Sequence, residues 1–175
     1  MKTIKILPLF FLLLLASCSS IRVNSDYDKK ATFSNYKTYA YSKNAIDKVE
    51  ISDLDKKRIL HSIDDALAIK GFTKSENPDL FITIFTKENE RVDVYNNNGF
   101  GWSWNPYWGM GISYTNVTRT SEGTLFIDLI DAKTKELVWQ GEGTGYLTKN
   151  VDEKDARIKE FVDKILAQYP PEIKK

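Results

Sequence analysis

The sequence of 175 residues predicts a two-layer α+β sandwich, in which two helices cover one face of a mainly antiparallel sheet. Three observations indicate this class. One segment with helical spacing of its apolar residues precedes a run of strand-like segments, and a second such segment follows it. Short polar turns separate several of the strand-like segments, and strands joined by such turns pair antiparallel. Each helix has one apolar face that needs a sheet to cover, so both are expected on the same side.

The first element is an amino-terminal signal segment over residues 1–17. Lys2 and Lys5 precede the apolar run Ile6–Ala16, whose eleven residues are too few for a transmembrane helix of about 20 residues. The run ends in Leu15-Ala16-Ser17-Cys18, which resembles the bacterial lipobox. We therefore predict that Cys18 carries palmitate-type acyl chains, of which two or more anchor a protein stably in a membrane. The alternatives are an ordinary secretory signal with an accidental cysteine and a buried structural thiol.

The residues after Cys18 predict where the protein resides. Ser19 and Ser20 lack the aspartate that often retains bacterial lipoproteins in the inner membrane, and no acidic cluster follows them. We expect the outer membrane, with the domain on its periplasmic face, and the cell surface is the alternative. Residues 18–30 are polar and predict a lipidated tether or a frayed first strand, followed by a single domain over residues 31–175.

The composition excludes several classes of function. With 25 basic against 24 acidic residues, the charge gives no electrostatic argument for binding nucleic acid. The single cysteine excludes an intrachain disulfide, and the single histidine excludes a metal site with two or three histidines. No glycine-rich phosphate or dinucleotide motif follows a strand. We therefore predict no cofactor, no metal and no catalytic residue, and we expect that the protein is not an enzyme.

The first half of the domain predicts a strand and then a helix. Tyr36–Tyr41 alternates along an aromatic-rich stretch, which favours a strand. Ser52-Asp53-Leu54-Asp55 has the pattern of a helix N-cap, and Lys70-Gly71-Phe72 has that of a helix end with glycine in the left-handed position. One apolar stripe at helical spacing lies between them. It consists of Ile59, Leu60, Ile63, Ala66 and Leu67.

The second half predicts a series of strands and a closing helix. The strands are expected over residues 80–86 with an extension at 91–95, and over residues 112–119, 124–130 and 136–146. Ser121-Glu122-Gly123 and residues 131–135 predict turns. Asp152-Glu153-Lys154-Asp155 predicts the cap of the second helix, and Pro170-Pro171 its end. The apolar face of this helix consists of Ile158, Phe161, Val162, Ile165, Leu166 and Tyr169.

An ordered set of short motifs resembles a known family. The set comprises Asp26-Tyr27-Asp28, Tyr36-Lys37-Thr38-Tyr39, Lys70-Gly71-Phe72 with Asn77-Pro78-Asp79-Leu80, Gly123-Thr124-Leu125-Phe126-Ile127-Asp128 with Leu137-Val138-Trp139, and Gln168-Tyr169-Pro170-Pro171. In this order the motifs resemble a family of small bacterial lipoproteins whose domain is of unknown function. The resemblance covers nearly all of the mature chain and implies a membrane-anchored α+β domain. It implies no reaction and no catalytic residue.

The most unusual segment is the loop over residues 96–111, which is rich in Gly and Asn and holds three of the four tryptophans. Gly and Pro disfavour a helix here, so we expect an irregular connection between two strands. Aromatic side chains on such a loop are a candidate contact surface, because they combine apolar area with a polar group. Candidate partners are an envelope protein, a glycan and the membrane interface; the alternative is that the rings cover the sheet. The candidate contact residues are Phe100, Trp102, Trp104, Tyr107 and Trp108.

Asp128 and Glu142 support an alternative in which the protein is a cell-wall or glycan hydrolase. Asp128 alternates with apolar residues, so burial would raise its pKa and suit it to act as an acid, whereas pairing with Arg119 is the simpler interpretation. A purely structural lipoprotein is the third hypothesis.

Several other residues have structural interpretations. His61 lies off the apolar stripe of the first helix, and Asp64 and Asp65 are interpreted as part of a solvated face. Three glycines alternate on the last strand and admit either a close ligand or partner, or a bulky neighbour. They are Gly141, Gly143 and Gly145.

Overall fold

A computed structural model describes the backbone of residues 21–96 and 115–172, and the side chains of residues 21–88 and 122–172. Within these ranges the chain forms a six-stranded mixed sheet and three α-helices, which confirms the predicted α+β class. The elements in chain order are β1 (Arg22–Tyr27), a 3₁₀ helix (Phe33–Asn35), β2 (Thr38–Tyr41), α1 (Lys43–Ile46), α2 (Asp53–Ile69), β3 (Thr73–Lys74), β4 (Leu80–Asn96), β5 (Thr115–Asp131), β6 (Leu137–Tyr146) and α3 (Val151–Leu166).

The sheet has the strand order β1-β6-β5-β4-β2-β3. The neighbours β1, β6, β5 and β4 pair antiparallel, whereas β2 pairs parallel with both β4 and β3. The parallel pairs arise because α2 carries the chain back after β2, and parallel neighbours need such a crossover. The sheet is therefore mainly antiparallel, as predicted, with a parallel edge.

Local sequence signals define both long helices. Ser52 caps α2, since its hydroxyl accepts the backbone N–H of Asp55 at 3.1 Å, and Gly71 follows the helix with a φ of 82°. Asn150 caps α3 by accepting the backbone N–H of Asp152 at 3.1 Å. Both predicted helices are confirmed, although the N-cap of α3 is Asn150, two residues before the predicted cap at Asp152.

Both long helices pack on the same face of the sheet. The hydroxyls of Tyr39 and Tyr41 on β2 donate to Asp64 of α2 at 2.8 and 2.7 Å. Ile165 of α3 packs beside Trp139 of β6. Burial of these apolar side chains supplies most of the free energy that holds the two layers together. The most deeply buried members of the core are Trp139, Ile63, Leu67, Leu80, Ile82, Ile84, Ile127, Leu129, Ile165, Leu166 and Val162.

Strand β6 has glycine where α3 approaches it. A Cβ at Gly143 would lie 2.8 Å from the side chain of Ile165, and one at Gly141 would overlap with both Ile165 and Trp139. The alternating glycines were interpreted as admitting either a close ligand or partner, or a bulky neighbour. At Gly141 and Gly143 the structure supports the second interpretation. The missing side chains let α3 lie close against the strand.

The structure decides two predictions about the strands. For residues 18–30 a tether or a frayed first strand was expected, and residues 22–27 form edge strand β1, which pairs with β6 along its whole length, so the sheet begins before residue 31. The turn predicted at Ser121-Glu122-Gly123 is wrong, because β5 continues through it and Gly123 pairs with Glu88 in an unbroken ladder. The propensity of three residues for a turn is weaker than pairing along two whole strands.

Candidate functional site

The outer halves of β4 and β5 form a two-stranded ribbon over residues 90–96 and 115–121. The two strands are 17 residues long and pair with each other throughout. Strand β6 pairs with β5 only as far as Glu122, and β2 pairs with β4 only as far as Ile82. Past these residues, no other described strand pairs with the ribbon. At about 3.4 Å per residue the ribbon extends roughly 20–25 Å beyond the sheet.

The chain enters the sheet at the same end from which the ribbon extends. Ile21 precedes Arg22, which pairs with Thr144. Two residues further along β6, Tyr146 pairs with Glu122 at the base of the ribbon. We call this end of the sheet the ribbon end. Ile21, the first described residue, is therefore at the ribbon end of the domain.

The predicted aromatic contact residues and Cys18 lie outside the described residues. Residues 97–114 connect Asn96 and Thr115, which are paired at the far end of the ribbon. The ribbon thus holds Asn96 and Thr115, the residues at the two ends of this connection, next to each other. The predicted contact residues in this connection are Phe100, Trp102, Trp104, Tyr107 and Trp108.

The sheet face opposite α2 and α3 is partly exposed and carries aromatic side chains. Phe85 on β4 stacks on Phe126 of β5, with ring centroids 4.2 Å apart and an angle of 8° between the planes. Phe85 remains 42% exposed. On the same face, Nζ of Lys135 lies 4.6 Å from the ring centroid of Phe81. We call this surface the open face. It offers apolar area for contact beside the base of the ribbon.

The candidate carboxylates Asp128 and Glu142 lie on the open face, on adjacent strands. Because Asp128 pairs with Gln140 and Phe126 pairs with Glu142, the two carboxylates are diagonal neighbours. Burial raises the pKa of Asp128, and a hydrogen bond that Gln140 donates to its Oδ1 at 2.8 Å opposes the rise. Gln140 is thus a partner of Asp128, while the side chain of Arg119 lies outside the described residues.

This placement has a chemical consequence for the two carboxylates. A glycosidase holds its two carboxyl groups on either side of the bond that it breaks, in a cleft that excludes water. Asp128 and Glu142 instead project from an open sheet surface, and neither lines the two end cavities of the sandwich. The arrangement can exchange hydrogen bonds with a partner, and among the described residues no wall faces the two carboxylates across a cleft.

A cavity of about 390 Å³ opens at the ribbon end, between the amino-terminal halves of α2 and α3 and strands β4 and β5. Its inner lining is apolar: Ile59, Leu125 and Phe161 are buried, and Ile51 and Ile158 are half-buried. The volume lies within the range of small-molecule sites. We call it the ribbon-end cavity.

The most buried charged side chains around the ribbon-end cavity are paired. Nζ of Lys154 lies 2.8 Å from Oδ2 of Asp55. Arg157 donates from Nε to the carbonyl of Tyr146 at 3.0 Å and from Nη1 to Glu160 at 2.8 Å. Burial works to raise the pKa of Asp55, but hydrogen bonds, led by the one from Lys154, outweigh it and hold the pKa below its usual value. The other charged lining residues are exposed to solvent: Glu50, Lys87 and Glu88.

Sequence reasoning did not single out this cavity. Its lining comes from the approach to α2, from α2 itself, from β4 and β5, and from the residues around the start of α3. The one local signal is in α3, where Lys154 and Arg157 border the predicted apolar stripe at a spacing of three residues. That spacing indicates a basic edge on the buried face of the helix, but not a cavity.

A second cleft, of about 380 Å³, lies at the opposite end of the sheet and is polar. Asp79 accepts the backbone N–H of Lys37 at 3.0 Å, and Asp131 accepts that of Thr134 at 2.9 Å. These backbone hydrogen bonds lower the pKa of both carboxyls. Burial and the hydrogen bond that its hydroxyl donates to Asp131 raise the pKa of Tyr36 to about 12. These groups hold turns and strand ends in place.

The polar residues predicted on the first helix divide into two groups. His61 and Asp65 are exposed, as predicted. The prediction for Asp64 is wrong: its carboxylate is half-buried and accepts hydrogen bonds from Tyr41 and from Lys74, each at 2.7 Å. The face of α2 that carries Asp64 turns towards the tyrosines of β2, which the spacing along the helix does not reveal.

Among the described side chains, no group of three or more His, Cys, Asp or Glu is arranged to hold a metal ion. None of the helices that the structure describes combines the length and the apolar character needed to cross a membrane.

Comparisons with known proteins give a family and a fold. A family model described as "Domain of unknown function (DUF4136)" matches residues 23–171. No curated protein matches significantly. A PDZ domain protein from Parabacteroides distasonis is similar, with a TM-score of 0.53 and 19% identity over 89% of this chain and 37% of that chain. A PelC dodecamer subunit from Paraburkholderia phytofirmans has a TM-score of 0.46 and 13% identity over 84% of this chain and 95% of its own.

The first of these structures supports the fold and no more, because 19% identity carries no information on activity. The chain also spans only 37% of the length of that PDZ domain protein. The family match is of a different kind, since it covers the sheet from β1 onwards and both long helices. It confirms the predicted membership of a family whose domain has no known function. The chain therefore belongs to the family described as a domain of unknown function, DUF4136.

Proposed function

We propose that the protein is a lipid-anchored protein of the bacterial envelope, whose domain acts as a non-enzymatic binding or accessory module. The ribbon and the aromatic segment that it carries form the contact arm. One observation carries the proposal: β4 and β5 continue past the sheet and pair only with each other among the described strands. Such a ribbon holds Asn96 and Thr115 beside each other at the two ends of the aromatic segment, and loops held by rigid strands commonly bind partners.

The anchor of the proposed module is Cys18. The lipobox-like Leu15-Ala16-Ser17-Cys18 follows a short apolar run, and only Ser19, Ser20 and Ile21 separate Cys18 from the start of β1. Such a short connection would keep the domain close to the bilayer. In this proposal the protein is at the outer membrane on its periplasmic face, and the cell surface is the alternative.

The position of Ile21 supports a direction for the contact arm. Because Ile21 and the ribbon are at the same end of the sheet, an anchor at Cys18 places the ribbon on the membrane side of the domain. Tryptophan and tyrosine favour the interface between membrane and water. The arm is therefore suited to a partner at the membrane surface, either an envelope protein or a glycan.

Crosslinking in native membranes tests the contact arm. The full chain is compared with a variant carrying Trp102→Ala, Trp104→Ala and Trp108→Ala. Ile69→Ala serves as the matched control, because Ile69 is 84% exposed and lies at the end of α2 away from the ribbon. We expect the triple variant to lose at least one crosslinked partner that both the full chain and the control retain. Identical crosslinked partners in all three would remove the arm from the proposal.

Cys18→Ala tests the anchor separately. We expect this change to abolish acylation and to prevent signal removal, as measured by the intact mass and by metabolic labelling with a fatty acid. Unchanged acylation would refute attachment at Cys18 while leaving the result for the contact arm standing.

A further inference from the structure

We infer that the ribbon-end cavity holds one acyl chain of the lipid attached to Cys18. The inference rests on the proposed anchor, and it adds a ligand and a binding site to the domain itself. Three properties of the cavity support it: where the chain enters the domain, the apolar character of the lining, and the pairing of the buried charges.

The described chain begins beside this cavity. A Cβ at Gly145 would lie 3.2 Å from Cγ1 of Ile21, from Nη2 of Arg157 and from Cζ of Phe161, so these atoms are at most twice that distance from one another. Arg157 and Phe161 both line the cavity. Cys18 precedes Ile21 by three residues, which span at most about 11 Å of extended chain. A lipid on Cys18 is therefore tethered within reach of the cavity.

The lining suits a hydrocarbon chain better than an anion. Ile59, Leu125 and Phe161 form a buried apolar surface, which a hydrocarbon chain can cover without losing hydrogen bonds. Lys154 is matched by Asp55, and Arg157 already donates to a carbonyl and to a carboxylate. A phosphate or a free fatty acid would have to displace these hydrogen bonds, whereas an acyl chain leaves them in place.

Covalent attachment favours this ligand over a free lipid. A group tethered by a few residues reaches its site at a high effective concentration, so even a weak apolar contact is occupied. A lipoprotein carries two or more acyl chains, and the chains outside the cavity remain available to the bilayer. A seated chain would hold the ribbon end against the membrane.

Thiol labelling tests the occupancy of the cavity. Ile158→Cys places a cysteine in the half-buried part of the lining. Because Cys18 is the one natural cysteine and is acylated in this proposal, the cysteine introduced at position 158 is the only free thiol. The lipidated protein is measured in vesicles of phosphatidylethanolamine and phosphatidylglycerol. It is compared with an unlipidated form whose mature chain begins at Ser19 and which is secreted through an ordinary signal peptide. We expect an uncharged maleimide to label the lipidated form at least about ten times more slowly. Thr86→Cys, on the strand side of the cavity, repeats the test.

Val151→Cys is the control for mere closeness to the membrane, since Val151 is 64% exposed on the same helix and does not line the cavity. Its labelling rate should differ little between the two forms. An equal decrease in labelling rate at positions 151 and 158 would overturn the inference. Slow labelling at position 158 in the unlipidated form mixed with vesicles would overturn it too, because a membrane lipid would then be the ligand. Intact mass separates the two proposals: equal labelling of a protein that carries its acyl groups overturns only the cavity, whereas missing acyl groups overturn the anchor as well.

Discussion

On the helix-covered face of the sheet, Ile84 of β4 pairs with Ile127 of β5, and the two side chains are 2% and 0% exposed. The next pair along the same strands is Phe85 with Phe126, which points to the open face, and Phe85 is 42% exposed. The two pairs have similar apolar character and adjacent positions. They differ in what covers them, since only the first lies under α2 and α3.

This difference separates the stability of the domain from its contacts. Apolar area that is buried under helices contributes to folding in proportion to the area removed from water, whereas area left on the open face contributes little. Exposed aromatic area next to a projecting ribbon is instead available for binding. We therefore expect apolar truncations on the covered face to lower the free energy of unfolding much more than those on the open face.

Truncation of the adjacent residues Ile84 and Phe85 gives the largest expected contrast. Ile84→Ala should lower the free energy of unfolding by about 2–5 kcal/mol, because it leaves a cavity in the core. Phe85→Ala should cost about 1 kcal/mol, chiefly the ring stacking with Phe126. Urea denaturation of both variants measures the difference. Similar losses would mean that the open face is covered as completely as the other.

Gly141→Ala tests the close approach of α3 to the covered face. The added methyl group meets the buried side chains of Trp139 and Ile165, so we expect a loss of roughly 1–3 kcal/mol. Gly123→Ala is the matched control, because its new methyl group meets Leu147, which is 38% exposed and can move aside. A loss at position 123 as large as that at position 141 would contradict this account of the glycines.

Asp64→Asn tests the polar contacts that join α2 to β2. Burial opposes ionisation of Asp64, but the hydrogen bonds from Lys74 and the two tyrosines outweigh it and lower the pKa. We expect a loss of about 1–2 kcal/mol at neutral pH. A lowered pKa in the folded state means that this stabilisation is present above the unfolded pKa of about 4 and is lost as the pH falls through the folded pKa. In thermal unfolding measured from pH 7 down to pH 3, the difference in stability between the unchanged protein and Asp64→Asn should therefore decrease as the pH falls.

The exposed neighbour provides the control for that experiment. Asp65→Asn should change the free energy of unfolding by less than about 0.5 kcal/mol at any pH in this range. An effect at position 65 equal to that at position 64 would mean that general charge, and not the contacts with β2, is responsible.

Asp128→Asn on the open face has the smallest expected effect, and its sign is opposite. Burial raises the pKa of Asp128, so the folded state binds the proton more tightly and the ionised carboxylate lowers the stability at neutral pH. Removal of the charge should raise the free energy of unfolding by about 0.5–1 kcal/mol at pH 7. The gain should vanish as the pH falls below the unfolded pKa of about 4. Glu142→Gln, on the same face, is the control variant. A lower free energy of unfolding for Asp128→Asn at pH 7 would contradict the conclusion that the ionised carboxylate of Asp128 destabilises the fold.

The local features of the fold were predictable from the sequence, and the pairing of distant segments was not. The N-cap at Ser52 and the left-handed Gly71 are confirmed because each depends on hydrogen bonds within a few residues. The continuity of β5 through Gly123 was missed, because pairing with β4 outweighs the turn propensity of a short segment. The ribbon-end cavity was missed for the same reason, since it is assembled from several elements, whereas the open face follows from the prediction that both helices cover the same side.

By itself, the sequence determined the α+β class, the two long helices and their apolar faces, because spacing and capping act between near neighbours along the chain. It also carries the lipobox-like motif on which the proposed anchor depends. Only the tertiary structure decided that β1 belongs to the sheet, that Gly141 and Gly143 make room for α3, and that Ile21, the cavity and the ribbon share one end. These arrangements depend on which distant segments pack together, and that is set by shape and burial over the whole domain.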